Sequence, residues 1–108
     1  MKIDYQQLEF LHPKLRQLMK FVEDQTGLEF TITSLYRMND NGVHGTLPVR
    51  GCDLRMRDSN IGASLQQTIN SYWEYDASRP EKVCAICHGK GYNLHLHLQV
   101  HDNTDLLI

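Results

Sequence analysis

Long apolar runs are missing from this 108-residue chain, which nowhere approaches the roughly 20 consecutive apolar residues that a membrane-spanning helix needs. Membrane insertion is therefore not expected. An excess of positive charge is missing too: 11 Lys and Arg stand against 13 Asp and Glu, a formal net charge of -2. Without a broad basic field, nothing draws the chain to phosphate backbones, and nucleic acid is not expected as a partner. Cysteine is sparse and odd in number, at three. The opening residues Met1 to Gln7 turn polar where a secretory signal would need an apolar stretch. Together these favour cytoplasmic synthesis with reduced thiols over a disulfide framework. Repeats and low-complexity tracts are absent as well, so a chain with 41% hydrophobic residues reads as one compact domain around one core.

What is present reads as an α+β domain. Leu15, Leu18, Met19 and Val22 fall at i, i+3, i+4 and i+7, with Pro13 suited to a first turn and Gly27 to an end, which predicts a helix over 13–26. Residues 28–36 are rich in β-branched and aromatic types and alternate in polarity, the mark of a strand. A turn-rich stretch from Met38 to Gly51 predicts a long loop, and loops of that length in compact domains are usually functional. A short strand over 52–56 follows. Ser59 then suits the cap of a second helix, in which Ile61, Leu65, Thr68, Ile69 and Tyr72 keep the helical period as far as Trp73. Residues 82–87 and 93–101 read as a hairpin joined through Gly89-Lys90-Gly91. The N-terminal segment 1–12 and the tail from Asn103 are expected to be peripheral.

The chemistry concentrates on the last long strand. From Asn93 to His101 the residues alternate strictly, with Leu94, Leu96, Leu98 and Val100 on one face and His95, His97, Gln99 and His101 on the other. That second face reads either as a solvent-exposed polar edge or as one wall of a metal site. Alternate side chains on a strand run parallel, so a metal would need donors from elsewhere. The long loop offers His44, and Asp53 stands where the chain re-enters the sheet. Two histidines and a carboxylate, with one position open, are the donor set of a catalytic zinc site.

Taken in order, Ser34-Leu35-Tyr36-Arg37, His44-Gly45, Arg50-Gly51-Cys52-Asp53-Leu54 and Leu94-His95-Leu96-His97-Leu98-Gln99 resemble the zinc D-alanyl-D-alanine carboxypeptidases, a family that includes phage endolysin peptidases. That family shares its zinc-binding core with lysostaphin-like enzymes and the hedgehog signalling domain. The resemblance spans residues 30 to 100. It implies a small, mainly antiparallel sheet with two helices packed on it, zinc held by His44, Asp53 and His97, and Arg37 placed on a substrate carboxylate or carbonyl oxygen. It implies hydrolysis of peptide bonds in peptidoglycan, a partner that composition does not reveal, with action at a host cell wall or on a virion. Two features depart from the family pattern. His44 and Asp53 are nine positions apart rather than seven, and Leu94 stands where many members carry a Glu as general base. The lysostaphin branch instead carries H-x-H on this strand, which His95-Leu96-His97 fits. By period-2 geometry His95 shares the face of His97, and it is expected to be the catalytic side chain. A catalytically silent zinc-binding module, or a phage structural or interaction module of the same fold, is the alternative.

Cys84-Ala85-Ile86-Cys87-His88 spells the c-type haem attachment signature, but on a strand the two cysteines point to opposite faces and read as small apolar residues. Cys52 reads the same way. His88 and His101 read as surface or hairpin-edge histidines, with lining of the cleft as the alternative, His12 as a helix-entry residue, and Trp73 as packing.

Overall fold

The computed structural model describes residues 8–27, 29–35, 41–42, 45 and 47–107. Helix α1 spans Pro13–Thr26, and its predicted apolar stripe of Leu15, Leu18, Met19 and Val22 is buried. The His12 side chain caps it by accepting the Lys14 amide at its ring Nδ1, 3.1 Å away. Gly27 ends it at φ 64°, a left-handed conformation that glycine adopts without strain, and donates its N–H to Glu23 O.

Strand β1 is Ile32–Ser34, β2 is Gly51–Arg55, and helix α2 follows at Ser59–Tyr72. Asp58, not Ser59, caps α2: its carboxylate accepts the amides of Asn60 at 2.8 Å and Ile61 at 3.4 Å. A carboxylate there also meets the positive end of the helix dipole, which a hydroxyl does not. The buried stripe of α2 is Gly62, Leu65 and Ile69, while Ile61 and Tyr72 are exposed. The helix is thus rotated from the face that its apolar period suggests, because Gly62 must lie where β4 comes closest. A Cβ at Gly62 would stand 2.5 Å from Cys87 Sγ.

Strands β3 (Trp73–Glu74), β4 (Ala85–His88), β5 (His95–Gln99) and β6 (Asp105–Leu106) complete the fold. The β4–β5 connection includes a 3-10 turn at Gly91–Asn93, and Gly89 sits at φ 91° with Asn93 O where a Cβ would be. The main sheet has the order β1-β2-β5-β4, antiparallel throughout. Cys52, Leu54, Ala85, Leu96 and Leu98 face the helices and form one core with Leu15, Leu18, Val22, Leu65 and Ile69. The edge strand β4 is closed off by α2 side chains. Asn70 exchanges two hydrogen bonds with the Ala85 backbone, and Gln66 Oε1 accepts the Cys87 amide.

Of the two segments expected to be peripheral, the described residues 8–12 and 103–107 make long-range contacts, and residues 1–7 and 108 lie outside the described residues. Leu11 is fully buried and forms a parallel bridge with Val49. Beyond Asn103, β6 pairs with β3, Trp73 opposite Leu106 and Glu74 opposite Asp105. The buried Thr104 hydroxyl donates to Tyr75 O and accepts the His101 amide, each at 2.8 Å. A polar, short tail gives no periodic signal, and its order comes from these long-range partners. The result is a two-layer α+β fold, helices on one side of the sheet and a polar face on the other.

Candidate functional site

The register of the sheet assembles the polar face in rows. Ser34, Asp53, His97 and Ile86 stand abreast, and one step along, about 6–7 Å for two strand residues, Arg55, His95 and His88 do the same. Asp53 and His97, which are 44 residues apart in sequence, are therefore direct neighbours. Asp53 Oδ1 lies 2.7 Å from His97 Nδ1, and the two side chains are only 14% and 16% exposed. His97 Nε2 lies 3.1 Å from Gln99 Oε1, and Gln99 Nε2 donates to Val83 O at 2.7 Å.

His95 has a different environment. Its Nδ1 is 2.7 Å from Asn93 O, an acceptor, so Nδ1 carries the proton and the neutral ring keeps an unshared pair on Nε2. Its ring meets His88 edge-on, centroids 4.0 Å apart, so His88 belongs to the polar face and not merely to the hairpin edge. Hollows lie at the two ends of this face. Beyond His95, spaces of about 450 and 300 Å³ share Arg55, Met56 and Arg57; the fully exposed Tyr92 borders the larger, and Glu29 and Asp58 balance the two arginines in the smaller. Beyond Gln99, a hollow of about 290 Å³ is lined by Arg50, Tyr75, Arg79, His101 and Asp102.

Of the five residues singled out in the sequence, Asp53 and His97 come together and His95 stands one row away. His44 and Arg37 lie outside the described residues. Among the described residues no three His, Cys, Asp or Glu side chains form a metal-binding group. Leu94 packs against the core, so no carboxylate can stand on the cleft face at that position. The sequence reading gave Gln99 no role, although its place in the 95, 97, 99 alternation puts it beside His97. Asn93, which orients His95 through its carbonyl, leaves no signal in sequence because the backbone does the work.

The surroundings of the three cysteines favour the neutral thiol. Burial raises the thiol pKa of Cys52, and the Asp53 charge adds to it. Burial pushes Cys84 up to about 12, opposed by a hydrogen bond with Thr104, and burial raises Cys87 as well. Neutral thiols are neither nucleophiles nor metal ligands. Comparison with protein-family models, curated proteins and solved structures finds no match.

Proposed function

We propose that this chain is a zinc-dependent peptidase acting on bacterial cell-wall peptides, with His44, Asp53 and His97 as metal ligands and Arg37 and His95 as the catalytic side chains. The observation that carries the reading is the 2.7 Å approach of Asp53 Oδ1 and His97 Nδ1 on the open sheet face. One carboxylate oxygen and one imidazole nitrogen turned toward each other are two of the three protein donors of a catalytic zinc site. The third, His44, comes from the resemblance and the loop it sits in. The donor set suits zinc chemically, being nitrogen and oxygen with no thiolate.

Bound zinc would supply a Lewis acid that activates water and polarises the scissile carbonyl. His95 Nε2, with its free electron pair, takes a proton from the attacking water as the new C–O bond forms. It then returns that proton to the leaving amine as the C–N bond breaks. Asn93 O keeps the ring in the tautomer that can do this. Arg37 steadies the substrate carboxylate or carbonyl oxygen, and the hollows beside Arg55 and Arg50 leave room for an extended peptide along the face.

The test is metal analysis of protein purified without chelator, with about one zinc per chain expected. His44→Ala, Asp53→Ala and His97→Ala should each abolish stoichiometric metal, since a three-ligand site tolerates no loss. Full zinc retention by His97→Ala would refute the site. A second reading, the silent zinc-binding or phage interaction module, is favoured by one observation: Leu94 faces the core where a general base would stand. Zinc-loaded protein that leaves purified peptidoglycan peptides intact would select it.

A further inference from the structure

We infer that Gln99 is a positioning residue for His97, holding its imidazole as the Nε2–H tautomer so that Nδ1 is the nitrogen presented to a metal. This rests on the zinc-site reading above and deepens it. Val83 O only accepts, so the Gln99 group 2.7 Å from it must be the amide nitrogen; the opposite setting would put two oxygens together. That fixes Gln99 Oε1 toward His97, 3.1 Å from Nε2. An amide oxygen likewise only accepts, so Nε2 carries hydrogen.

Asp53 Oδ1 and His97 Nδ1 stand at hydrogen-bond distance, 2.7 Å, and share a proton there. When a metal takes that proton's place, the neutral imidazole keeps its one N–H on Nε2, beside Gln99 Oε1, and gives its Nδ1 pair to the metal. Gln99 thus makes the gap between Asp53 and His97 selective for a cation. The clamp is anchored by sheet register and not by a loop, since Gln99 N also donates to Cys84 O at 2.9 Å, beside Val83. Partners of this kind on metal-bound histidines typically contribute 10- to 100-fold in metal affinity.

The experiment uses zinc alone as ligand and has two readouts. Long-range 1H–15N correlation spectra of the zinc-loaded protein should show the His97 proton on Nε2 and the metal on Nδ1. Zinc competition against a chromophoric chelator should show Gln99→Met weakened on the order of 10- to 100-fold. A proton on His97 Nδ1 in the zinc-loaded parent overturns the inference, and that measurement stands even if Gln99→Met does not fold. Unchanged affinity in folded Gln99→Met overturns it too, while leaving the zinc site intact. A parent chain that takes up no zinc overturns both readings together.

Discussion

At the scale of single residues, two histidines on the same strand face meet different acceptors, and under the proposed function those acceptors set them to different tasks. Asn93 O accepts the His95 Nδ1–H, and Gln99 Oε1 accepts the His97 Nε2–H. His95 keeps an unshared pair on Nε2, and in the proposed site His97 offers Nδ1 to the metal. His95→Ala should therefore keep fold and zinc while losing activity on the order of 10²-fold or more; a variant that cleaves a cell-wall peptide as fast as the parent would remove His95 from the mechanism. Asp76 gives a prediction about stability. Hydrogen bonds from the Ser78 hydroxyl and amide, with smaller contributions from Arg79 and Asn103, hold its carboxyl down to about 2. A carboxyl whose pKa is depressed by folding stabilises the native state above its unfolded value, near 3.9, and loses that contribution as pH falls through the folded value. Asp76→Asn should be less stable than the parent at neutral pH. The gap should close between about pH 4 and pH 2, as read by urea unfolding across that range.

At the scale of elements, what the sequence made legible was whatever repeats. The α1 stripe predicts Pro13–Thr26 residue for residue, and the 95, 97, 99 alternation predicts the polar face of β5. The hairpin was legible as two strands with shifted bounds: β4 begins three residues later than 82–87 and runs on to His88, while β5 cedes Asn93 to a 3-10 turn and ends at Gln99. The face of α2 was not legible. Apolar periodicity points to Ile61 and Tyr72, yet the contact with β4 requires a residue with no side chain, and a glycine carries no hydrophobic signal. For the site, residue types named Asp53 and His97, but only the antiparallel register of β2 and β5 makes them partners. Gly62→Ala tests the helix contact. Alanine improves helix propensity by about 1 kcal/mol, but its Cβ meets Cys87 Sγ at 2.5 Å. Overpacking of this kind costs about 1–3 kcal/mol, so a net loss of stability is expected. Adding Cys87→Ala should restore the Gly62→Ala protein toward or above the parent; a double variant no more stable than the single one would show that the clash is not the cause.

At the scale of the whole molecule, residues 12–14 at the start of α1 are fastened to residues 102–104 beside the cationic hollow at the Gln99 end of the polar face. His12 Nε2 lies 2.8 Å from Asp102 Oδ1, and Lys14 Nζ donates to Asp102 O and Thr104 O. Arg50 and His101, which line that hollow, are held by the same corner: Val100 N donates to Arg50 O, and His101 N to the Thr104 hydroxyl. Thr104 is the point where these constraints meet, since its buried hydroxyl serves His101 and Tyr75 at once. Thr104→Val keeps the shape and removes the hydroxyl's hydrogen bonds, leaving the His101 N–H and the Tyr75 carbonyl without that partner. At about 1–3 kcal/mol for a buried unsatisfied group, the variant should lose roughly 2 kcal/mol or more. In a domain of this size that is a fall in Tm on the order of 8 °C or more. Thr104→Ser, which keeps the hydroxyl and drops one methyl, should lose much less. If valine and serine prove equally damaging, packing of the methyl and not the hydroxyl holds the corner. If neither lowers Tm, the C-terminal strand does not contribute to the stability of the core.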